Sequence, residues 1–423
     1  MNRLIIIGNG FDLANGLHTS YKDFIEWYWD CWWYRLSKSD DSKEEDELCM
    51  FKLKDKSGFK SFFELWCSFP TNMYSANAVG HEVIKEIINN RVCLFELKSE
   101  LFSDIFKSYE LNNWVDIENI FYQLLCRKIS PNLSPKKLND DLNCIRAKLF
   151  KYLNEIQIGI SKDIIDYNIY NKLYEPIKKQ DIAISSMQRW YDMLIQRTKY
   201  SKSTWQELIG TYRKQKAFVG ISNVEHFLED KKKKIDEQGI ENISENDIPE
   251  AYCFPDYTMV LNFNYTSTAD LYFEPLTYND RFVVNHIHGS LSDLNSIIFG
   301  YGDEMDEHYK TLVNKNDNDY LSNIKSIKYL EAVNYRRLLS FVDSDYFQIY
   351  TMGHSCGISD RTLLHTLFEH KNCVSIKPFY HNKSNNSDDY MNLVQNISRN
   401  FTDMALMRDR VVNKTFCVPL GGN

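Results

Sequence analysis

Apolar residues in this chain follow two spacings, one typical of buried strands and one typical of helices. Residues 3–7 form a short apolar run with three consecutive isoleucines, which indicates a strand buried on both faces. Further strand-like runs come after Pro255. These predicted strands comprise residues 258–263, 282–287, 347–352 and 374–379, with 411–418 as a last edge strand. Since helical spacing separates several of them, the sequence predicts an α/β fold with a mostly parallel sheet.

A long stretch with mostly helical spacing lies between the first strand and the later ones, over residues 59–250. Because the sheet residues flank this stretch, we predict that a large helical insertion interrupts one α/β domain. The predicted domains are a discontinuous α/β domain of residues 1–40 and 251–423 and a helical insertion of residues 41–250. The polar segment 37–58 is predicted to be a surface loop, and 229–250 a solvated connection back to the sheet.

The composition is that of a soluble globular protein and excludes several classes of protein. Of the 423 residues, 43% are hydrophobic and 26% charged, which rules out disorder or collagen-like repeats as the main state. The net charge of −8 argues against a general nucleic-acid coat. Residues 176–216 nevertheless carry nine basic and three acidic side chains among several aromatics. Contact with nucleic acid or an acidic partner therefore stays open there, beside the alternative of solvated helix faces.

Neither a membrane nor an oxidising compartment is indicated by the sequence. No apolar run approaches the ~20 residues that a membrane-spanning helix needs, and Gly8 cuts short the run that ends at Ile7. The ten cysteines are scattered, and none forms a C-x-x-C pair. This suits a reducing compartment and removes the usual zinc spacing. We predict a cytoplasmic protein with no membrane partner and no bound metal.

A glycine-containing turn comes directly after the first predicted strand, with the sequence Gly8-Asn9-Gly10-Phe11-Asp12. Backbone amides of such a turn can face a phosphate, and parallel sheets bind ligands at their strand ends. The dinucleotide fingerprint would need glycine at position 13, where Leu13 stands. The match to a standard Rossmann signature is therefore poor, and an ordinary strand-to-helix turn stays the alternative.

Polar side chains also follow two of the later strands. Asn264 offers a donor and an acceptor that suit a ribose hydroxyl or a water, although an Asx-type turn would also place an Asn there. His286 and His288 would share a strand face, but no third and fourth metal ligand is evident nearby. His288, beside Gly289, suits a general base because its pKa lies near neutrality. A structural histidine is the alternative.

The segment Gly353-His354-Ser355-Cys356-Gly357 fits the G-x-S-x-G pattern of a hydrolase nucleophile elbow. That chemistry needs an acid and then a histidine after the serine, and the last histidine of the chain is His381. Such an order is cramped, so a loop that holds phosphate or ribose is favoured. Ser359 or Asp360 would then cap the next helix.

A further pair of carboxylates, Asp116 and Glu118, follows Trp114 in the helical stretch. The spacing of two residues does not place them on one helix face, which argues against a metal-dependent nuclease. Acidic residues in a first helical turn also stabilise the helix dipole. The sequence leaves the roles of all three residues open.

Taken in order, these segments resemble the AbiH family of bacteriophage abortive-infection proteins. The resemblance rests on motifs that span most of the chain: Gly8-Asn9-Gly10-Phe11-Asp12-Leu13-Ala14, Thr19-Ser20-Tyr21, Trp114-x-Asp116-x-Glu118, Phe263-Asn264-Tyr265-Thr266, His286-Ile287-His288-Gly289-Ser290, and Gly353-His354-Ser355 with Ser359-Asp360. The order of the motifs is more specific than any one of them. This resemblance implies a protein of antiviral defence.

The same loops are similar, more distantly, to the sirtuin-like nucleotide-binding fold. Four positions carry this likeness: Gly8-Asn9-Gly10 stands at the Gly-Ala-Gly of those proteins, Asn264 at the Asn of their Thr-x-Asn-x-Asp loop, His288-Gly289 at their catalytic His-Gly, and Gly353-His354-Ser355 at their Gly-x-Ser loop. Thr266 replaces the Asp of the Thr-x-Asn-x-Asp loop, and Asn262 replaces its Thr. The paired cysteines of the deacylase zinc module are missing, which argues against a protein deacylase.

The second resemblance implies a Rossmann-like, sirtuin-like fold and an enzyme that hydrolyses NAD+ without a metal. Asn264 and His288 would be its catalytic residues. The residues predicted to bind the nucleotide are Gly8, Asn9, Gly10, Phe11, Asp12, Gly353, His354, Ser355 and Asp360. NAD+ or a related nucleotide would be substrate or ligand, with no tightly bound cofactor.

Two other classes of function stay open. One is a nucleotide-binding sensor that does not hydrolyse its ligand and whose helical insertion acts on a partner or nucleic acid. The other is a serine hydrolase that uses Ser355. A toxic hydrolase would need restraint, so we expect a phage-derived trigger, with control and the contacts of a homo-oligomer carried by the insertion.

Overall fold

The computed structural model describes residues 1–55, 57–68, 80–89, 92–112, 116–127, 134–212, 233, 237–239, 248, 250–273, 281–383 and 387–421. The strands of this part are β1 (Asn2–Ile7), β2 (Lys43–Glu45), β3 (Cys49–Leu53), β4 (Cys93–Leu97), β5 (Thr258–Asn262), β6 (Phe282–His286), β7 (Phe347–Met352) and β8 (Cys373–Phe379).

Most of the described α-helices lie between β1 and β5. The helices described before β5 are α1 (Asn9–Ala14), α2 (Tyr21–Leu36), α3 (Phe62–Cys67), α4 (Gly80–Asn89), α5 (Glu100–Asn112), α6 (Ile117–Cys126), α7 (Pro135–Ile158), α8 (Tyr167–Leu173), α9 (Met187–Arg197) and α10 (Lys202–Tyr212). Those described after β5 are α11 (Thr268–Leu271), α12 (Glu307–Val313), α13 (Lys325–Lys328), α14 (Asn334–Ser344), α15 (Arg361–Phe368), α16 (Tyr390–Ser398) and α17 (Met404–Arg410). None of these helices combines the length and the apolar composition that crossing a membrane requires.

Five strands form one parallel sheet in the order β6-β5-β1-β7-β8. All six residues of the central strand β1 are buried, as its isoleucine run predicts. Ile5 pairs with Val260 on one side and with Tyr350 on the other. From β1 the chain builds outward through β5 and β6, then returns to the other side for β7 and β8. The strand order therefore reverses between β1 and β7, which opens a crevice at their carboxyl ends.

Alternate residues of β1 enter two different cores, as the two-residue period of a strand requires. Ile5 and Ile7 pack in one core with Trp190 of α9. Leu4 and Ile6 pack on the opposite face of the sheet with residues that include Leu364 of α15. Both faces of the sheet are thus covered, and the predicted α/β fold with a mostly parallel, Rossmann-like sheet is confirmed.

A second, antiparallel sheet in the order β2-β3-β4 was not predicted. Its first two strands lie within 37–58, so the prediction of a surface loop there was wrong. The residues of β3 alternate between the interior and the surface, with Cys49, Phe51 and Leu53 buried. The charged residues around β3 made this short alternation of buried and exposed positions hard to recognise in the sequence. Phe51 packs in a third core with Trp32 of α2 and residues of α5, α6 and α7.

The segment between β1 and β5 contributes to two of these cores. Residues of α2–α7 join the third core, together with later residues such as Phe299. Residues of α8–α10 instead cover one face of the main sheet. The domain boundaries at residues 40 and 250 stay a prediction, and most of 229–250 lies outside the described residues. The predicted edge strand 411–418 was wrong, because Val411 makes a single bridge to Ile376 and a 3₁₀ turn follows at Lys414–Phe416.

The close packing of the loop after β7 against the loop after β1 gives a test of the fold. Gly353 has a φ of +73°, and a Cβ at this position would lie 2.0 Å from the Phe11 nitrogen. Gly16 has a φ of +79° with nothing within 4 Å of a Cβ. Gly16→Ala should therefore lower the free energy of unfolding by only about 1–2 kcal/mol, the cost of a left-handed backbone for a residue with a Cβ. Gly353→Ala should cost at least about 3 kcal/mol, because an overpacking term is added. Urea unfolding of both variants measures the difference, and equal losses would contradict this packing.

Candidate functional site

A cavity of about 730 Å³ lies at the carboxyl edge of the main sheet, where the strand order reverses. The loops after all five parallel strands contribute to its walls. Its polar lining residues include Asn9, Asp12, Thr19, Ser20, Tyr21, Asp116, Glu118, Asn264, Thr266, His288, Lys325, His354, Ser355, Asp360, Tyr380 and His381. Ser20 and Asp23 form the capping box that starts α2 beside this cavity.

The glycines after β1 serve mainly to bring two loops together. The Gly10 amide donates to the Gly353 carbonyl at 2.8 Å, and a Cβ on Gly8 would lie 2.7 Å from the His354 Cα. The amides of Gly8 and Phe11 donate to the carbonyls of Met352 and Gly8. These three amides are therefore engaged within the protein and do not form the phosphate cradle that the turn predicts.

The remaining residues of this turn are divided between the core and the cavity. Asn9, Gly10 and Asp12 line the cavity. Phe11 is 0% exposed, and its ring packs edge-on against Tyr272. A nucleotide could thus meet Asn9 and Asp12, while the Phe11 side chain belongs to the core.

Asp12 is a buried carboxylate with one oxygen left without a partner. Its Oδ2 accepts a hydrogen bond from Thr266 Oγ1 at 2.6 Å. Its Oδ1 has no hydrogen-bond partner among the described residues. Burial raises the pKa of Asp12 to about 6, against the lowering effect of Thr266, Thr268 and Asn264. Its charge therefore changes close to neutral pH.

Asn264 is held at the edge of the cavity by the loop it lies in. The Asn262 side chain accepts from the Asn264 amide at 3.0 Å, which is the Asx-type turn that the sequence left as an alternative. Asn264 Nδ2 donates to the Gly8 carbonyl at 3.0 Å. The first bond shapes the loop after β5, the second joins that loop to the residue after β1, and together they fix the Asn264 side chain beside the cavity.

The two histidines of 286–288 do not share a face, because β6 ends at His286. His286 Nε2 lies 3.1 Å from Asp270 Oδ2. His288 instead lines the cavity, with Nε2 3.3 Å from Asp360 Oδ1 and 3.1 Å from the Tyr329 hydroxyl. Burial and the charge of Lys325 lower the pKa of His288 against the opposing effect of Asp360. The imidazole is therefore neutral at neutral pH and can accept a proton.

Asp360 is held by an ammonium group that no sequence motif indicates. Lys325 Nζ lies 2.9 Å from Asp360 Oδ1 and 2.8 Å from Glu118 Oε2. Although burial raises the pKa of Asp360, Lys325 and His288 lower it far below its ordinary range. Asp360 is the N-cap residue of α15, one of the two that the sequence predicts, but its side chain makes no cap hydrogen bond.

Glu118 enters the same site from α6. Its Oε1 accepts from the Gly300 amide at 3.1 Å, and burial raises its pKa to about 7 against the effect of Lys325. Asp116 caps α6 by accepting from the Asn119 amide at 3.0 Å. A first-turn acid is common in helices, so the sequence could not distinguish Glu118 from a dipole-stabilising residue. Trp114 lies outside the described residues.

The loop after β7 is oriented differently from a hydrolase elbow. His354 Nδ1 accepts from the Cys356 amide at 3.0 Å, which assigns its proton to Nε2, 3.8 Å from Asp360 Oδ2. Burial lowers the pKa of His354 to about 4. Apart from Gly353, the residue of this loop with a left-handed backbone is Cys356, with a φ of 53°, and not Ser355 at the position of the nucleophile. The neighbouring histidine is thus turned toward the acid and not toward the serine.

Within the described ranges, no group of three or more His, Cys, Asp or Glu side chains is placed to hold a metal ion. The positive charge between the carboxylates of Glu118 and Asp360 is the Lys325 ammonium.

A family model described as Bacteriophage abortive infection AbiH matches residues 4–382. The chain belongs to the AbiH family. The matched residues include most of β1, all of β5–β8 and the polar lining residues named above, whereas three further lining residues, Asp389, Leu393 and Leu420, lie beyond the match. No curated protein and no solved structure matches the chain. Membership of the AbiH family indicates a protein of phage abortive infection.

Part of the basic stretch 176–216 of this AbiH protein has a structural role. Arg197 is buried and pairs with Asp256 at 2.8 Å. Lys178 pairs with Glu175 at 2.9 Å, and residues 213–216 lie outside the described residues. Binding of nucleic acid by this stretch stays a prediction.

The raised pKa of Asp12 predicts a stability that falls as the pH rises. The native state holds this proton more tightly than the unfolded chain, whose pKa is near 3.8, so stability is lost between about pH 4 and pH 6. Asp12→Asn removes the buried charge. At pH 8 it should therefore stabilise this AbiH protein by about 1–3 kcal/mol, with a smaller gain at pH 4.

The matched control is Asp256→Asn. The N-terminal ammonium and Arg197 hold the pKa of Asp256 below its ordinary value despite its burial. That variant should lose stability at pH 8. Thermal unfolding at both pH values compares the two variants, and a loss at pH 8 from Asp12→Asn would contradict the assignment of an unfavourable buried charge.

Proposed function

We propose that this AbiH protein is an NAD+ glycohydrolase of antiviral defence. The observation that carries the proposal is a neutral, buried His288, held by Asp360 and placed with Asn264 on one cavity at the switch point of a parallel sheet. The likeness of these loops to sirtuin-like proteins supports the same substrate class. NAD+ is a substrate here, and the reaction needs no other cofactor.

The place and size of the cavity support a dinucleotide ligand. In open parallel sheets, ligands bind in the crevice where the strand order reverses. A volume of about 730 Å³ lies within the range of about 300–1,000 Å³ that is typical of small-molecule sites. The lining runs from Glu118 and His288 at one side to Tyr380 and His381, which follow β8 at the sheet edge.

Hydrolysis of NAD+ forms a bond between water oxygen and ribose C1′ and breaks the bond from C1′ to the pyridinium nitrogen. The bonding electron pair leaves with nicotinamide, which becomes neutral, and the proton lost by water goes to a base. His288 is the proposed base, and Asp360, whose Oδ1 lies 3.3 Å from His288 Nε2, stabilises the imidazolium that forms. Asn264 would orient the ribose or the attacking water.

The charges around the cavity suit a transition state with oxocarbenium character. Asp12, Glu118 and Asp360 all line the cavity, and one lysine lies between the last two. Carboxylates placed where positive charge develops lower the barrier without having to reorganise during the reaction. Depletion of NAD+ would stop growth of the infected cell, which is the outcome that abortive infection requires.

Restraint of such an activity belongs to the proposal. A hydrolase that depletes NAD+ in the cytoplasm has to be inactive before infection, so we propose a phage-derived molecule as trigger. Assembly into a homo-oligomer is the accompanying expectation.

Nicotinamide release from NAD+ by the purified protein tests the function. His288→Gln should lower kcat by about 10²–10⁴-fold, the contribution of a general base. Asn264→Ala should lower it by at least about tenfold through lost orientation. Because the pKa of His288 lies below its ordinary value of 6.5, the wild type should lose activity on acidification only below that pH.

The matched control is His370→Gln. His370 lies just before β8, at the opposite edge of the sheet, with Nε2 3.4 Å from Asp343 Oδ1. The His370→Gln variant should release nicotinamide as fast as the wild type. NAD+ binding without nicotinamide release, both in vitro and in infected cells, would overturn the hydrolase and leave a nucleotide sensor. Loss of activity in Ser355→Ala with full activity in His288→Gln would instead indicate the serine hydrolase.

A further inference from the structure

Glu118 and Lys325 reach the cavity from outside the loops that follow the parallel strands. Glu118 lies in the first turn of α6, and Lys325 begins α13. The Lys325 side chain is 1% exposed and contacts two carboxylates, Glu118 at 2.8 Å and Asp360 at 2.9 Å. Asp360 Oδ1, which accepts from Lys325, is the same atom that lies 3.3 Å from His288 Nε2. One oxygen thus joins the ammonium to the imidazole.

Backbone groups anchor both Glu118 and Lys325. Glu118 Oε1 accepts from the Gly300 amide at 3.1 Å, so each carboxylate oxygen of Glu118 has one donor. The Lys325 amide donates to the Tyr301 carbonyl at 2.8 Å. The position of Lys325 Nζ is therefore set by α6 and by the segment at 300–301.

We propose that Lys325, anchored by Glu118, is a positioning residue that shares the Asp360 carboxylate with His288, so that this carboxylate does not pair with the imidazole alone. This inference deepens the proposed function and rests on it for the identity of the reaction. It also assigns a task to α6, a helix of the segment between β1 and β5. His288 would contact the substrate in the cavity, whereas Lys325 would act through Asp360.

The charges around His288 give the direction of the effect. The groups that face it are Asp360 before α15, Lys325 of α13, Tyr329 after α13, His354 after β7, the Phe263 carbonyl after β5 and, one contact further, Glu118 of α6. Lys325 disfavours a second positive charge nearby, whereas Asp360 favours it. Loss of Lys325 would leave Asp360 to pair with His288 alone, so His288 would be protonated at higher pH and would no longer serve as a base at pH 7.

A second buried lysine provides the matched control. Lys377 of β8 is also 1% exposed, with Nζ 2.8 Å from Asp181 Oδ2 and 3.4 Å from Glu175 Oε1. It does not line the cavity. Lys377→Met and Lys325→Met remove the same charge from the same kind of ion pair, and both should destabilise the fold. Only the second should change His288.

The experiment measures the pKa of His288 by NMR of histidine-labelled protein, with the resonance assigned from His288→Gln. In Lys325→Met this pKa should rise by about 1–3 pH units, the effect of a nearby charge. The kcat for nicotinamide release at pH 7 should fall about tenfold or more, with KM changed by less than about threefold. Lys325→Arg should restore part of both values.

A double variant keeps the test decisive if Lys325→Met does not fold. Lys325→Met with Glu118→Gln removes both charges of the pair, which buried sites tolerate better than one unpaired charge. It should show the same rise in the pKa of His288. An unchanged pKa and pH profile in the double variant, or an equal change in Lys377→Met, would overturn the positioning role.

The failure of this inference is distinguishable from the failure of the proposed function. The expected pKa changes with no nicotinamide release by any protein, wild type included, would support the positioning role and reject NAD+ hydrolysis. Nicotinamide release that is insensitive to Lys325, together with an unchanged pKa, would reject the positioning role and retain the hydrolase.

Discussion

The pairing of β1 with two strands from the last part of the chain is the constraint on which the rest depends. Arg3 pairs with Thr258 on one side and with Gln348 on the other, and both pairings are parallel. Parallel pairing places all five carboxyl ends at one edge, so loops that are far apart in sequence meet there. Gly10 and Gly353 then pack backbone to backbone. The cavity exists because these loops meet at one edge of the sheet. It also needs the reversal of strand order between β1 and β7, which opens a crevice between them.

Much of this arrangement could be predicted, since buried parallel strands have a strong local signal. The isoleucine run of β1 and the apolar runs of β5, β7 and β8 predict buried strands. The polar loops after them indicate which edge of the sheet carries the site. Asn264, His288, His354 and Asp360 do meet at one cavity. The small sheet escaped prediction because β2 and β3 are short and lie among charged residues.

What the sequence could not supply is the set of contacts that depend on distance in the chain. Lys325 stands in a polar segment with no motif, and only the fold shows that Glu118 and Asp360 lie on either side of its ammonium. The burial of the Phe11 ring could not be predicted for a related reason. Its neighbours in the sequence suggest a ligand-binding turn, but a one-residue step along a short helix turns its ring into the core. The direction of a side chain is decided by packing, which the local pattern does not encode.

The two buried lysines show where a site differs from a structural ion pair. Lys377 and Lys325 each lie between two carboxylates and are equally shielded from water. Around Lys377, Glu175 also accepts from the Tyr350 hydroxyl and pairs with the exposed Lys178, and Lys377 itself does not line the cavity. Around Lys325, the third group is the imidazole of His288, which stays neutral beside a charged Asp360 and opens onto the cavity. An ion-pair network whose lysine does not line the cavity can only stabilise the fold. A network that ends on a neutral base at a cavity keeps one protonation step available, and that step is what the candidate site adds to an otherwise ordinary α/β sheet.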